Sequence, residues 1–226
     1  MQTTRAGRGL FIVVEGPEGS GKTTQIRLLY DALRRGSQEL VCTREPGGTP
    51  IGEQIREILH AVGNAGMLPI TEALLYSAAR AQHVAQVIRP ALEQGRVVLC
   101  DRYAHSTLAY QGEGHGLDRE MLLSVTRWVT GGLEPDLVIY LDLDVVEGLR
   151  RKERALAEGG EWNRMDQLPI DFHRKVRQAY LRMAAEDPQR WLVIDASQPP
   201  LAIHDQIRER VGDLCERFGL AVSEGG

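Results

Sequence analysis

The chain has 226 residues, 42% hydrophobic and 26% charged, which suits one substantial α/β domain with its own core spanning 1–226. Its formal net charge of −4 argues against wholesale binding to nucleic acid or to an anionic membrane. An anionic ligand must therefore be met by a local cluster of cations. Cys42, Cys100 and Cys215 are widely spaced, form no C-x-x-C and read as buried, reduced thiols of a cytoplasmic protein. The polar stretch 1–9 reads as a flexible N-terminus without an export signal, and no apolar run reaches the length of a membrane span.

Five short apolar, β-rich runs alternate with helical patterns: Leu10 to Glu15, Glu39 to Thr43, Arg96 to Cys100, Leu137 to Leu143 and Trp191 to Ile194. Runs apolar on both faces suit parallel strands covered by helices above and below. The first run leads into Gly16-Pro17-Glu18-Gly19-Ser20-Gly21-Lys22-Thr23, a full match to the phosphate-cradling pattern G-x-x-x-x-G-K-[ST], and a helical stretch follows from Thr23 to about Arg35. In that context backbone N–H groups and a helix N-terminus converge on phosphate oxygens, Lys22 reaches the β/γ-phosphates and Thr23 can ligate Mg²⁺. The loop residues through Thr24 are the expected ATP contacts. Further on, Ile51, Ile55, Ile58 and Leu59 mark one helix face, and a longer helical pattern runs from Thr71 to Gln94, where Pro90 should kink or divide it. Leu117 to Val129, Ile170 to Glu186 and Leu201 to Phe218 are further amphipathic stretches. The order predicts a doubly wound, five-stranded parallel sheet with helices on both faces, and Ala155 to Trp162 suits a short lid within about 150–166.

The phosphate loop by itself leaves GTPases, motor and transporter ATPases and small-molecule kinases open. Asn163-Arg164-Met165-Asp166 lacks the lysine of a guanine-reading motif, and no Leu-Ser-Gly-Gly-Gln run is present. Arg44 and Arg102 instead follow the second and third strands, at the end where such sheets bind ligands, with Arg80 in the long helix and Arg150, Arg151 and Arg154 before the lid. They point to a second phosphate site.

Thr43-Arg44-Glu45-Pro46-Gly47-Gly48-Thr49 and the run from Asp101-Arg102-Tyr103 to Tyr110-Gln111-Gly112 resemble the signature segments of thymidylate kinases. Tyr76-Ser77-Ala78-Ala79-Arg80-Ala81-Gln82-His83, with the following Val87-Ile88-Arg89-Pro90-Ala91-Leu92, is similar to that family's thymine-binding helix. With the loop beginning Glu15-Gly16, the resemblance runs from about Leu10 to about Glu209. It implies the nucleoside monophosphate kinase fold, transfer of the γ-phosphoryl of Mg-ATP to dTMP, and a homodimer; the apolar helix faces equally suit a monomer's core. Carried over, Arg44 and Arg102 hold the dTMP phosphate, Tyr76 stacks on thymine where the family usually has phenylalanine, and Arg80, Thr107 and Gln111 lie near the polar edge of the base. Tyr110 crowds the 2′ carbon, Glu18 lies near the 3′-hydroxyl, and Asp101 with Thr23 serves magnesium. Tyr76 and Tyr110 also suit core aromatics, and Thr107 a capping hydroxyl.

The implied catalytic cations are Lys22, Arg102 and a lid arginine. No cation occupies Pro17, Glu18, Gly19 or Ser20, so the resemblance is to the bacterial type that brings arginine from the lid, with Arg154 first and Arg151 second as candidates. The lid is longer than usual in the family, and its Asp-Arg-x-Glu segment is here Asn163-Arg164-Met165-Asp166. Another pyrimidine nucleotide or deoxynucleoside kinase, with Glu45 or Asp101 as base, and a non-catalytic nucleotide-binding module remain alternatives. The six histidines show no metal-ligand spacing.

Overall fold

The structure, a computed structural model, describes residues 8–35, 39–159 and 163–220; the expected flexible start and part of the lid lie outside them. Strands β1 (Phe11–Glu15), β2 (Leu40–Arg44), β3 (Val97–Asp101), β4 (Leu137–Asp142) and β5 (Trp191–Asp195) pair in parallel in the order β2-β3-β1-β4-β5. The register opposes Val14 to Asp101 and Asp101 to Arg44, so the carboxyl ends of β1, β2 and β3 lie side by side.

The pleat sends alternate β1 residues to opposite faces. Ile12 and Val14 pack with Ile26, Leu29 and Leu33 of α1 (Lys22–Arg35) and with Ile203, Ile207 and Val211 of the C-terminal helix, Pro200–Arg217. Phe11 and Val13 pack with Val84, Ile88 and Leu92 on the other face. Farther along that face, Val138, Tyr140 and Trp191 meet Val176, Ala179 and Tyr180 of the helix Ile170–Glu186.

Helix α2 (Pro50–His60) starts cleanly because the Thr49 hydroxyl accepts from the Gly52 N–H and Pro50 fills a position that needs no donor. Helix α3 (Pro69–His83) passes through a π-helical turn, Val84–Ile88, into α4 (Arg89–Glu93). Pro90 supplies no N–H to the turn before it, and the Arg89 N–H bonds back to Val84, so the expected division takes the form of a looser turn within continuous helix. A second π stretch, Leu108–Gly114, continues the short α5 (Ala104–Thr107). Helices α6 (Arg119–Thr130), α7 (Val145–Ala157), α8 (Ile170–Glu186) and α9 (Pro200–Arg217) complete the order.

Cys100 and Cys215 are buried, but Cys42 is exposed, which corrects the expectation for that thiol. The reason is positional: β2 is an edge strand and is only partly covered, although it opens with three apolar residues, Leu40, Val41 and Cys42.

His105 packs its ring edge-on against Trp191, with centroids 4.9 Å apart. Burial, assisted by Arg80 and Arg190, pushes its pKa down to about 3. An unfolded histidine titrates near 6.5, so between about pH 6.5 and 3 the unfolded chain binds more protons and the fold loses stability as pH falls. The ceiling for one such site is about 1.4 kcal/mol per pH unit. His105→Leu should therefore flatten the fall of the thermal midpoint between pH 6.5 and 4; parallel curves for variant and parent would refute it.

Candidate active site

The phosphate loop joins β1 to α1, and Gly16, Gly19 and Gly21 all take positive φ. At Gly19 (φ 74) a Cβ would come within 2.5 Å of the Gly148 carbonyl, so only glycine lets the loop lie this close to α7. Lys22 is buried and curls its ammonium onto the Gly16 and Pro17 carbonyls at 3.1 and 3.0 Å. Burial, and then Arg102, lower its pKa, while Glu18, Asp101 and Glu15 work the other way.

Glu15, fully buried at the end of β1, fixes the opposite wall. It accepts the Tyr103 N–H at 3.0 Å, the Ser106 hydroxyl at 2.8 Å and the Tyr180 hydroxyl at 2.8 Å. Burial raises its pKa against the pull of Arg102 and these donors. Arg102 follows β3 with φ 68, an uncommon left-handed conformation that costs about 1–2 kcal/mol for a residue with a Cβ. The turn brings its guanidinium to 2.6 Å from Glu18 and 5.3 Å above the Tyr110 ring. Burial opposes the charge on Glu18, but Lys22, Arg102 and Lys152 outweigh it and hold the carboxyl well below the usual carboxylate range.

Between these walls lies a cavity of about 350 Å³. Among the described residues Lys22, Arg44, Arg56, Arg80, Arg102 and Lys152 line it against Glu18, Glu45 and Asp101, so a chain of net negative charge carries a locally cationic cleft. Arg44 is exposed and paired with Glu53 at 2.8 Å. Tyr76, Tyr110, Gln111, Thr23, Thr24, Glu18, Gly19 and Gly21 also line the cavity. Asp101 keeps a buried Oδ1 with no hydrogen-bond partner among the described residues.

Arg80 is 1% exposed and held by Glu45 at 2.7 Å, by the Tyr103 carbonyl at 3.2 Å and by the Thr107 hydroxyl at 3.0 Å, while its Nη1 has no partner among the described residues. His83 clamps Glu45 from the far side at 3.0 Å. Thr107 thus stands behind Arg80 and does not line the cavity. Gln111 donates to Glu72 at 2.6 Å, and Glu72 also accepts from Arg164.

On α7, in the stretch expected to form a lid, Arg150 and Arg151 both bond Glu147, and Arg151 also reaches the Ala196 carbonyl at 3.2 Å. Arg154 is exposed, and none of these three lines the cavity. The sequence reading passed over Arg56, His60, Lys152 and His173, which do. Lys152 had one visible signal: it is one of three lysines and sits among the lid arginines. Glu72 gave none, and nothing in the sequence showed which groups Glu15 and Glu45 would hold, since their partners are remote in sequence.

A phosphate loop on the central strand of a 2-3-1-4-5 parallel sheet, opening into a cavity whose opposite wall carries arginines, defines a P-loop kinase of the nucleoside monophosphate type. The family model described as thymidylate kinase matches residues 14–207. Thymidylate kinase of Thermomicrobium roseum is 53% identical over 207 residues, covering 92% of this chain and 96% of that protein. That of Roseiflexus castenholzii is 50% identical over 207 residues, covering 88% and 90%. A crystal structure of thymidylate kinase from Ehrlichia chaffeensis superposes with a TM-score of 0.70 at 31% identity, over 90% of this chain and 99% of that one. The chain belongs to the thymidylate kinase family.

Removing Glu45 would strand two buried partners, Arg80 and His83. Glu45→Ala is expected to cost about 3–5 kcal/mol in urea unfolding. A cost under about 1 kcal/mol would mean that this cluster does not fix Arg80.

Proposed function

We propose that this enzyme transfers the γ-phosphoryl group of ATP to the phosphate of dTMP, giving dTDP and ADP. The observation that carries the reading is Arg80, whose one unpartnered guanidinium nitrogen belongs to a buried side chain at the wall of the cavity that also holds the phosphate loop. An acceptor oxygen of thymine satisfies it, and Tyr76 offers an aromatic face for the ring. Gln111 spends its NH₂ on Glu72, which leaves its carbonyl oxygen to accept from thymine N3–H. Thr107 serves by holding Arg80, Tyr110 crowds the 2′ carbon, and Glu18 is available to the 3′-hydroxyl.

The acceptor phosphate has a second pKa of about 6, so it is largely dianionic at neutral pH and needs no general base. One of its oxygens attacks the γ-phosphorus in line, the bond to the ADP oxygen breaks, and ADP leaves with that electron pair. Residues 16–24 cradle the donor phosphates through loop N–H groups, with Lys22 as the charge on the β/γ-phosphates. Arg44 and Arg102 hold the acceptor phosphate, and Arg102 bridges it to the donor. The exposed Thr23 hydroxyl and the unpartnered Asp101 Oδ1 fit a magnesium ion, Asp101 acting through water. When bound, the ion screens the charge that the β- and γ-oxygens accumulate. Of the two carboxylates a nucleoside acceptor could use as base, Glu45 is already engaged by Arg80 and His83, and Asp101 is taken in this reading for magnesium.

The whole chain, in this reading, works as one domain that pairs into a homodimer in the cytoplasm. Ile51 and Ile58 of α2, Leu74 of α3 and Trp128 of α6 are exposed, Trp128 to 83%, on helices that pack side by side. Such apolar residues suit an interface between copies. No described helix is long and apolar enough to cross a membrane, and three free thiols suit a reducing compartment.

ADP release should be strong with dTMP, weaker with dUMP and low with UMP, dCMP, dGMP and thymidine, and Lys22→Ala should lower kcat by about 10²–10³-fold. A preference for another acceptor would overturn the base pocket, and no acceptor-dependent turnover would leave a binding module. Light scattering should give twice the 25.1 kDa chain mass and Trp128→Glu a shift toward monomer; a parent of single-chain mass would refute the dimer.

A further inference from the structure

Resting on the kinase reading, we propose that Lys152, rather than any lid arginine, is the cation that the lid brings to the transferring phosphoryl group. Four cations lie along α7, and successive helix positions aim them in different directions. Arg150 turns outward to Glu147 at 2.6 Å, and Arg151 lies against Glu147 and the Ala196 carbonyl. Arg154 is exposed. Only Lys152 lines the cavity, with its side chain 16% exposed.

The ammonium of Lys152 is fixed from two sides. It lies 3.8 Å from Glu18 Oε2 in the phosphate loop and 3.4 Å from Asp166 Oδ2 at the far end of the lid. Asp166 is itself buried and locked by the Asn163 N–H at 2.9 Å, in a capping box that closes the turn Arg164–Gln167. Glu18 takes Arg102 on its other oxygen at 2.6 Å. One loop carboxylate therefore brackets the lid cation and the arginine that bridges donor and acceptor, and Lys22 acts on the same carboxylate. The phosphate loop itself carries no further cation, because its variable positions are Pro17, Glu18, Gly19 and Ser20. Further charge on the transferring group can therefore come from α7, and Lys152 is the α7 cation that lines the cavity.

The chemistry asked of Lys152 is modest. No bond to it forms or breaks, and no proton leaves it. Its ammonium donates hydrogen bonds to non-bridging phosphoryl oxygens, where charge must be neutralised in the transition state. Lysine suits this as a point charge with three donors on a flexible stem, which can exchange Glu18 for phosphate by a small movement.

The test compares Lys152→Ala, Lys152→Gln and Lys152→Arg with Arg150→Ala, Arg151→Ala and Arg154→Ala, using whichever nucleoside monophosphate the parent turns over best. Preference for an acceptor other than dTMP would then change the substrate assignment without deciding Lys152. Loss of the positive charge is expected to lower kcat by about 10²-fold, with KM for the acceptor changed less than about threefold, assayed well below a thermal midpoint that falls as Asp166 loses its partner. Lys152→Arg should recover part of the loss, and each arginine variant should lose less than Lys152→Ala. A second readout is trapping of ADP, acceptor and aluminium fluoride, a planar mimic of the transferring group. Lys152→Gln should weaken that complex at least tenfold while ADP alone binds as in the parent. Near-parental kcat in Lys152→Ala, a larger loss in any arginine variant, or equal trapping by Lys152→Gln would each overturn the proposal.

Discussion

A carboxylate at the end of the central strand, with no solvent exposure, ties three segments of this chain to one point. Glu15 accepts from the Tyr103 N–H, from Ser106 of α5 and from Tyr180 of α8. Burying an acid costs several kcal/mol unless its lone pairs are satisfied, and here four polar groups converge on it, counting Arg102 at 4.0 Å. The cavity walls inherit their positions from that requirement. Arg102 can hold its left-handed backbone because the residues after it are pinned to Glu15 and its own N–H bonds Val14.

The same logic spreads through the cationic cleft. Lys22 rests on loop carbonyls, Arg44 on Glu53, Arg80 on Glu45 and Arg102 on Glu18. Each cation is held in place by protein oxygens, so little side-chain freedom remains to be lost when a phosphate is bound. The partners differ in how completely they commit the cation. Arg80 is buried, engaged by three partners, and has one nitrogen without a partner among the described residues, whereas Arg44 is exposed and paired with Glu53. Rigid recognition suits a base edge; adaptable contact suits a phosphate.

Glu72 connects the turn Arg164–Gln167 to the cavity wall that carries Gln111. It orients Gln111 from α3 and also takes Arg164 from the turn that carries Asp166, the partner of Lys152. The two walls of the cleft are therefore linked through Glu72 and Arg164 to the turn whose Asp166 pairs with Lys152, partly by hydrogen bonds and partly by the backbone of that turn.

The strands, the phosphate loop, Arg44 and Arg102 at strand ends, and the helix bearing Tyr76 and Arg80 were legible in the sequence. They are written in local signals: apolar runs, glycines at fixed spacing and contiguous signature segments. Thr107 behind Arg80, Cys42 exposed on an edge strand, the π turns that carry Tyr110 and Gln111, and Lys152 facing the cavity in place of Arg154 were not. Glu72 and Arg164 are 92 residues apart, and Glu15 and Tyr180 are 165 apart. No local spacing encodes which of several neighbouring cations on α7 turns inward. By itself the sequence determined which chemistry the chain carries and where its strands and phosphate loop lie, because short-range pattern governs those. Only the tertiary structure decided which charged groups meet, because burial forces each to find a partner wherever the folded chain provides one.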